Sequence, residues 1–120
     1  MMAVDMNLRR DLRIDKRLMV TFGAYGFETM GMTGNISTHG LCIRCHSGLG
    51  HPPGERPVRI NLGIYDDLYE IDGVVRWCVA SPRRSADTMP WGLGIEITRA
   101  PEGYLTYVRH FSFQHRFHTC

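Results

Sequence analysis

Two short clusters in the chain carry residue types that could do chemistry. The first is Arg9-Arg10-Asp11-Leu12-Arg13, three guanidinium groups within five positions. Guanidinium is planar and always charged, and its fork of N–H donors matches phosphate oxygens or the O6/N7 edge of guanine. The second is Asn35-Ile36-Ser37-Thr38-His39-Gly40, which places an amide, a hydroxyl, an imidazole and a glycine between two apolar, β-type runs. Asn and Ser can bond nearby backbone or present polar groups outward, and glycine permits positive φ or the close approach of another group. Such a corner suits a flat polar ligand, and it equally suits an ordinary turn closing a hairpin. Asn35-Ile36-Ser37 also matches the acceptor pattern for N-linked glycans, but the charged residues from Asp5 to Arg17 do not form a signal peptide, so a cytoplasmic location is expected.

Other candidate chemistry is weaker. Cys42-Ile43-Arg44-Cys45, flanked by His39 and His46, has a spacing seen in zinc and redox sites. On a strand, however, residues three apart point to opposite faces, so one metal cannot join them without an intervening turn. Reduced, mostly buried thiols are expected, with no metal and no cofactor. Ser37 and His39 have no third group placed to complete a triad, and no phosphate loop ending in Lys and Ser or Thr is present, so the chain reads as noncatalytic.

The elements that must position these clusters read as β. The 120 residues fit one domain, and 13 glycines favour a turn-rich sheet. The pattern predicts strands at 17–22, 26–33, 41–45, 57–62, 68–79 and 91–97, with a bulge or kink at Gly73. From Pro101 the residues Tyr104, Leu105, Val108 and Phe111 fall at helical spacing, which predicts one helix over 101–113 covering the end of a barrel. The expectation is an all-β, six-stranded antiparallel barrel at 18–98, preceded by a flexible basic segment at 1–17. No apolar run is long enough for a membrane helix, so no direct insertion is expected. The net charge of +2 is too small to argue for a nucleic-acid polymer, although five of the 14 basic residues gather between Arg9 and Arg17.

These features together resemble the PilZ domain family. That family is recognised by Arg-x-x-x-Arg, matched here by Arg9 to Arg13, and by Asp/Asn-x-Ser-x-x-Gly, matched by Asn35 to Gly40. Gly73-Val74-Val75-Arg76-Trp77 and Gly92-Leu93-Gly94-Ile95-Glu96-Ile97 resemble its later strands. Arg13-Ile14-Asp15-Lys16-Arg17 satisfies the arginine spacing as well; the earlier register leaves Ile14 in the apolar position that usually follows the second arginine. The resemblance implies a receptor for the bacterial second messenger cyclic di-GMP, with Arg9, Arg10, Arg13, Asn35, Ser37, His39 and Gly40 as ligand-binding residues. It further implies closure of the arginine segment over the ligand and relay to a protein partner in motility, exopolysaccharide or related output, by a monomer or dimer. The family more often has Asp where Asn35 stands, which points to modest affinity. Three rivals follow from the same residues: a PilZ-like adaptor that no longer binds nucleotide, an oligonucleotide-binding barrel using Phe27, Tyr65 and Trp91, and a zinc module.

Overall fold

The protein is described here as a computed structural model, covering residues 13–46, 57–80 and 89–119, with side chains to Phe111. Alternation of buried and outward residues builds its strands. In β2 (Met19–Gly23) Val20 and Phe22 point inward, in β4 (Gly40–Cys45) Leu41, Ile43 and Cys45 do so, and in β5 (Pro57–Ile64) Val58, Ile60, Leu62 and Ile64 follow. With β3 (Thr29–Ile36), β6 (Asp67–Ala80) and β7 (Trp91–Arg99) they pair antiparallel in the order β3-β2-β5-β6-β7-β4. Pairing of β4 back onto β3 closes the ring. Closure leaves no long edge to be managed, and the inward side chains fill the interior.

The seventh strand, β1 (Ile14–Asp15), lies within the segment expected to be structureless up to Arg17. It pairs with the far end of β3, Ile14 opposite Ile36 and Asp15 opposite Asn35. Two features hold it there. Ile14 is buried in the core, and the buried Thr33 hydroxyl accepts from the Leu18 N–H at 2.9 Å while donating to the Lys16 carbonyl. Thr33 N–H also donates to the Leu18 carbonyl, so the connector between β1 and β2 is stitched to β3 without belonging to a strand. The basic segment carried too few apolar residues to signal this; one isoleucine and a threonine on another strand decide it.

Where a bulge or kink was expected at Gly73, the β6–β7 ladder shifts register between Asp72 and Gly73, but the extra residue is Thr98 of β7 opposite, not Gly73 itself. A second shift lies between Val75 and Trp77. The helix, α1 (Glu102–Thr119), extends beyond the expected 113. Tyr104 and Val108, one turn apart, are buried, with Leu105 and Phe111 packed beside the core. Among the described residues, no helix is long and apolar enough to cross a membrane.

Candidate functional site

The turn between β3 and β4 is built around one side chain. The Ser37 hydroxyl accepts from the N–H groups of Gly40 at 3.0 Å and His39 at 3.3 Å, and donates to the Gly40 carbonyl at 3.0 Å. The Ser37 N–H also donates to that carbonyl, and the Tyr104 hydroxyl donates to the Ser37 carbonyl at 2.7 Å from below. Ser37 is therefore fully buried inside the turn rather than presented by it. Gly40 is required by crowding: a Cβ there would lie 2.8 Å from the Ile95 carbonyl oxygen of β7. The bond from Ile97 N–H to the His39 carbonyl completes the docking of the turn onto β7.

Outside this turn lies a concavity of about 490 Å3 lined by Arg13, Asn35, His39, Gly40 and Cys42 on one side and Arg76, Trp77, Gly94 and Glu96 on the other. Because β1 runs beside the end of β3, Arg13 falls next to Asn35, and its Nη1 donates to Asn35 Oδ1 at 2.9 Å. The two sequence clusters thus meet at one place, through 22 residues of separation. Of the expected ligand-binding residues, Arg13, Asn35, His39 and Gly40 line the concavity and Ser37 lies beneath it. Arg9 and Arg10 lie outside the described residues.

The opposite wall went unread in the sequence. The shift between Val75 and Trp77 places one extra residue in β6, so that Arg76 and Trp77 both face outward, as a bulge allows. Arg76 Nε donates to Glu96 Oε1 at 2.5 Å. The Trp77 indole lies across Gly94, where a Cβ would come within 2.0 Å of its Nε1. One indole face is thereby covered by backbone, and the residue as a whole remains 45% exposed. An outward Trp opposite Gly-x-Gly was the available signal, because glycine on a strand often marks close approach by another group.

A second concavity of about 440 Å3 adjoins the first, sharing Asn35 and Cys42 and lined also by Asp15, Arg17, Met32 and Arg44. Arg44 Nη2 donates to the Met89 carbonyl at 3.1 Å. Across both concavities the guanidiniums of Arg13, Arg17, Arg44 and Arg76 face the carboxylates of Asp15 and Glu96, which leaves the surface basic. Burial pushes the Cys42 thiol up against the opposing pull of Arg44 and Arg13, so it stays protonated. Cys45, three residues on, is in the core on the other face of β4, and no group of three metal-ligating side chains occurs among the described residues.

The PilZ domain family profile matches residues 7–114. The chain belongs to the PilZ family. This is a family of cyclic di-GMP receptors and adaptors, not of enzymes. Among solved structures the chain is similar to the Bacillus subtilis inhibitor of motility MotI/DgrA, with a TM-score of 0.71 at 17% identity. The match covers 94% of this chain and 53% of MotI/DgrA, so the PilZ domain here spans about half the length of that protein. No curated protein matches the chain. The closed six-stranded antiparallel barrel with a C-terminal helix is the PilZ fold, as expected from the strand pattern.

Proposed function

We propose that this PilZ domain binds cyclic di-GMP in the concavity between the Asn35–Gly40 turn and the Trp77–Gly94 platform. The observation that carries the reading is the Arg13–Asn35 hydrogen bond, which brings both family motifs to one basic, aromatic-walled depression. Its volume lies in the range of small-molecule sites, about 300–1,000 Å3. Arg13 spends one of its five donors on Asn35, and the guanidinium fork suits a phosphate or the O6/N7 edge of guanine. The exposed Trp77 face offers a stacking surface for a guanine, an interaction worth roughly 1–3 kcal/mol per base. Arg9 and Arg10 join Arg13 as the segment closes over the ligand.

His39 adds a polar contact at the rim. Ser37 acts by shaping the turn, since its hydroxyl is engaged on three sides. The closed arginine segment changes the surface that a protein partner sees. Motility is one output consistent with this reading, because the similar MotI/DgrA is an inhibitor of motility.

Calorimetric titration of cyclic di-GMP into the wild type, Arg13→Ala and Trp77→Ala, with the linear dinucleotide as control, tests the proposal. Binding by the wild type that weakens in both variants is the expected result. Absence of both heat and thermal shift in the wild type would leave a nucleotide-independent adaptor as the account.

A further inference from the structure

The concavity beside the Ser37 turn carries a carboxylate in its wall. Among the described residues that line it, Glu96 is the one acid. The sheet fixes its place. Alternation along β7 buries the Leu93 and Ile95 side chains in the core and turns Gly94 and Glu96 outward, and the β4–β7 register sets Glu96 directly opposite Gly40. Two guanidiniums flank it. From the β4 side Arg13 reaches over Gly40, its Nη2 lying 3.4 Å from where a Cβ of that residue would stand. From the β6 side Arg76, the extra residue of the bulge, donates to Glu96 Oε1 through Nε. The order across the wall is therefore Arg13, Glu96, Arg76, a negative charge between two positive ones.

Stability does not account for this arrangement. The Arg76 and Glu96 side chains are 45% and 52% exposed, and an ion pair so open to water contributes little to a fold. Beside the two groups that would draw a phosphate, the carboxylate repels that phosphate and so lowers affinity for any anion. It does not lower it equally. A phosphodiester carries a single negative charge, whereas a phosphate monoester carries about −1.5 to −2 near neutral pH. Two guanidiniums and one carboxylate leave a single positive charge, which balances a diester and falls short of a monoester.

We propose that Glu96 is a specificity-determining residue, which makes the site select phosphodiesters over terminal phosphate monoesters, and so a cyclic dinucleotide over its 5′-phosphorylated linear form. The inference rests on the nucleotide-binding reading. Cyclic di-GMP holds its phosphates as two diesters; the linear form has the same bases, one diester and one monoester. The two ligands also differ in shape, but that difference is common to all variants of the protein, so a change of selectivity on substitution reports the charge.

Calorimetric titration of both dinucleotides into the wild type, Glu96→Gln and Arg76→Gln tests the proposal. The wild type should prefer the cyclic form, and Glu96→Gln should tighten the 5′-phosphorylated linear form about fivefold more than the cyclic one. Arg76→Gln breaks the same ion pair, yet should weaken both ligands and leave the preference for the cyclic form at least as large. Thermal melts of both variants report that the barrel is intact. Binding of the cyclic form with a selectivity unchanged in Glu96→Gln overturns the proposal. So does a selectivity that relaxes equally in Arg76→Gln, which would assign the effect to the pair rather than to the carboxylate charge. A wild type that binds neither dinucleotide overturns the nucleotide-binding reading itself, and this inference with it.

Discussion

The two ends of β3 are finished in the same way and serve different ends. At its C-terminal end the Ser37 hydroxyl gathers the N–H groups of His39 and Gly40. At its N-terminal end the Glu28 carboxylate gathers those of Tyr25, Gly26 and Phe27 at 2.9, 3.1 and 3.0 Å, and Asn61 Nδ2 donates to the Gly26 carbonyl. Both turns are pinned by one side chain to several amides. The Ser37 turn opens on a concavity, because β1 brings Arg13 to its side and the β6 bulge raises Trp77 opposite. A preorganised turn is therefore a structural solution first; neighbours supplied by other strands make it a site.

The sharpest way to break that comparison is to undermine the Ser37 turn alone. Tyr104→Phe leaves the buried Ser37 carbonyl without its donor and should cost roughly 1–3 kcal/mol in denaturant unfolding, with ligand affinity falling as well. Gly40→Ala forces a methyl against the Ile95 carbonyl and should cost a similar 1–3 kcal/mol or so, since a packed core resists added volume. If Gly40→Ala melted like wild type, the close approach would be of no consequence.

Arg13→Ala sharpens the comparison by separating site from turn. Cyclic di-GMP affinity should fall about tenfold or more while stability stays within ~0.5 kcal/mol, as for other surface substitutions. Loss of both together would make Arg13 a structural residue. Asn35→Asp should tighten binding by a few-fold, because a carboxylate can accept both N1–H and N2–H of a guanine where the amide oxygen already receives Arg13. Equal or weaker binding would show that the guanine edge lies elsewhere.

The smallest effect belongs to the other turn. Desolvation pushes the Glu28 carboxyl up, but the N–H groups of Tyr25, Glu28 itself, Phe27 and Gly26 outweigh it and hold it below the usual carboxylate range. A lowered folded pKa contributes stability that is complete above the unfolded value and is lost as pH falls through the folded one. Protection of the amides at residues 25–27, measured against the intrinsic exchange rate at each pH, should therefore fall in acid and lose that pH dependence in Glu28→Gln, with ligand affinity unchanged. Altered affinity would mean that the two ends of β3 communicate.

Much of this was legible in the chain, and the remainder was hidden for physical reasons. Alternation gave the six barrel strands because one face of each is buried, and Tyr104 and Val108 gave the helix because they sit one turn apart. Asn35 and Gly40 could be placed at a corner from local chemistry. What escaped was set by pairing across the sheet: β1 exists because Thr33 and Ile36 receive it, and Trp77 faces the site only because one extra residue slips into β6. Ser37 could from its local chemistry either bond nearby backbone or face outward, and only the packing against Gly40 and Tyr104 decides that its hydroxyl is spent inside the turn.

The bond from Tyr104 to the Ser37 carbonyl makes the first turn of α1 part of the same cooperative unit as the corner. By linkage, any free energy that a ligand gains by holding the corner in this shape must equally protect that turn of helix, and any change that loosens the helix must be felt in affinity by the same factor. Hydrogen exchange at the N–H groups of Tyr104 and Leu105, with and without cyclic di-GMP, reads that coupling free energy. Identical protection in both states would show that helix and corner open independently.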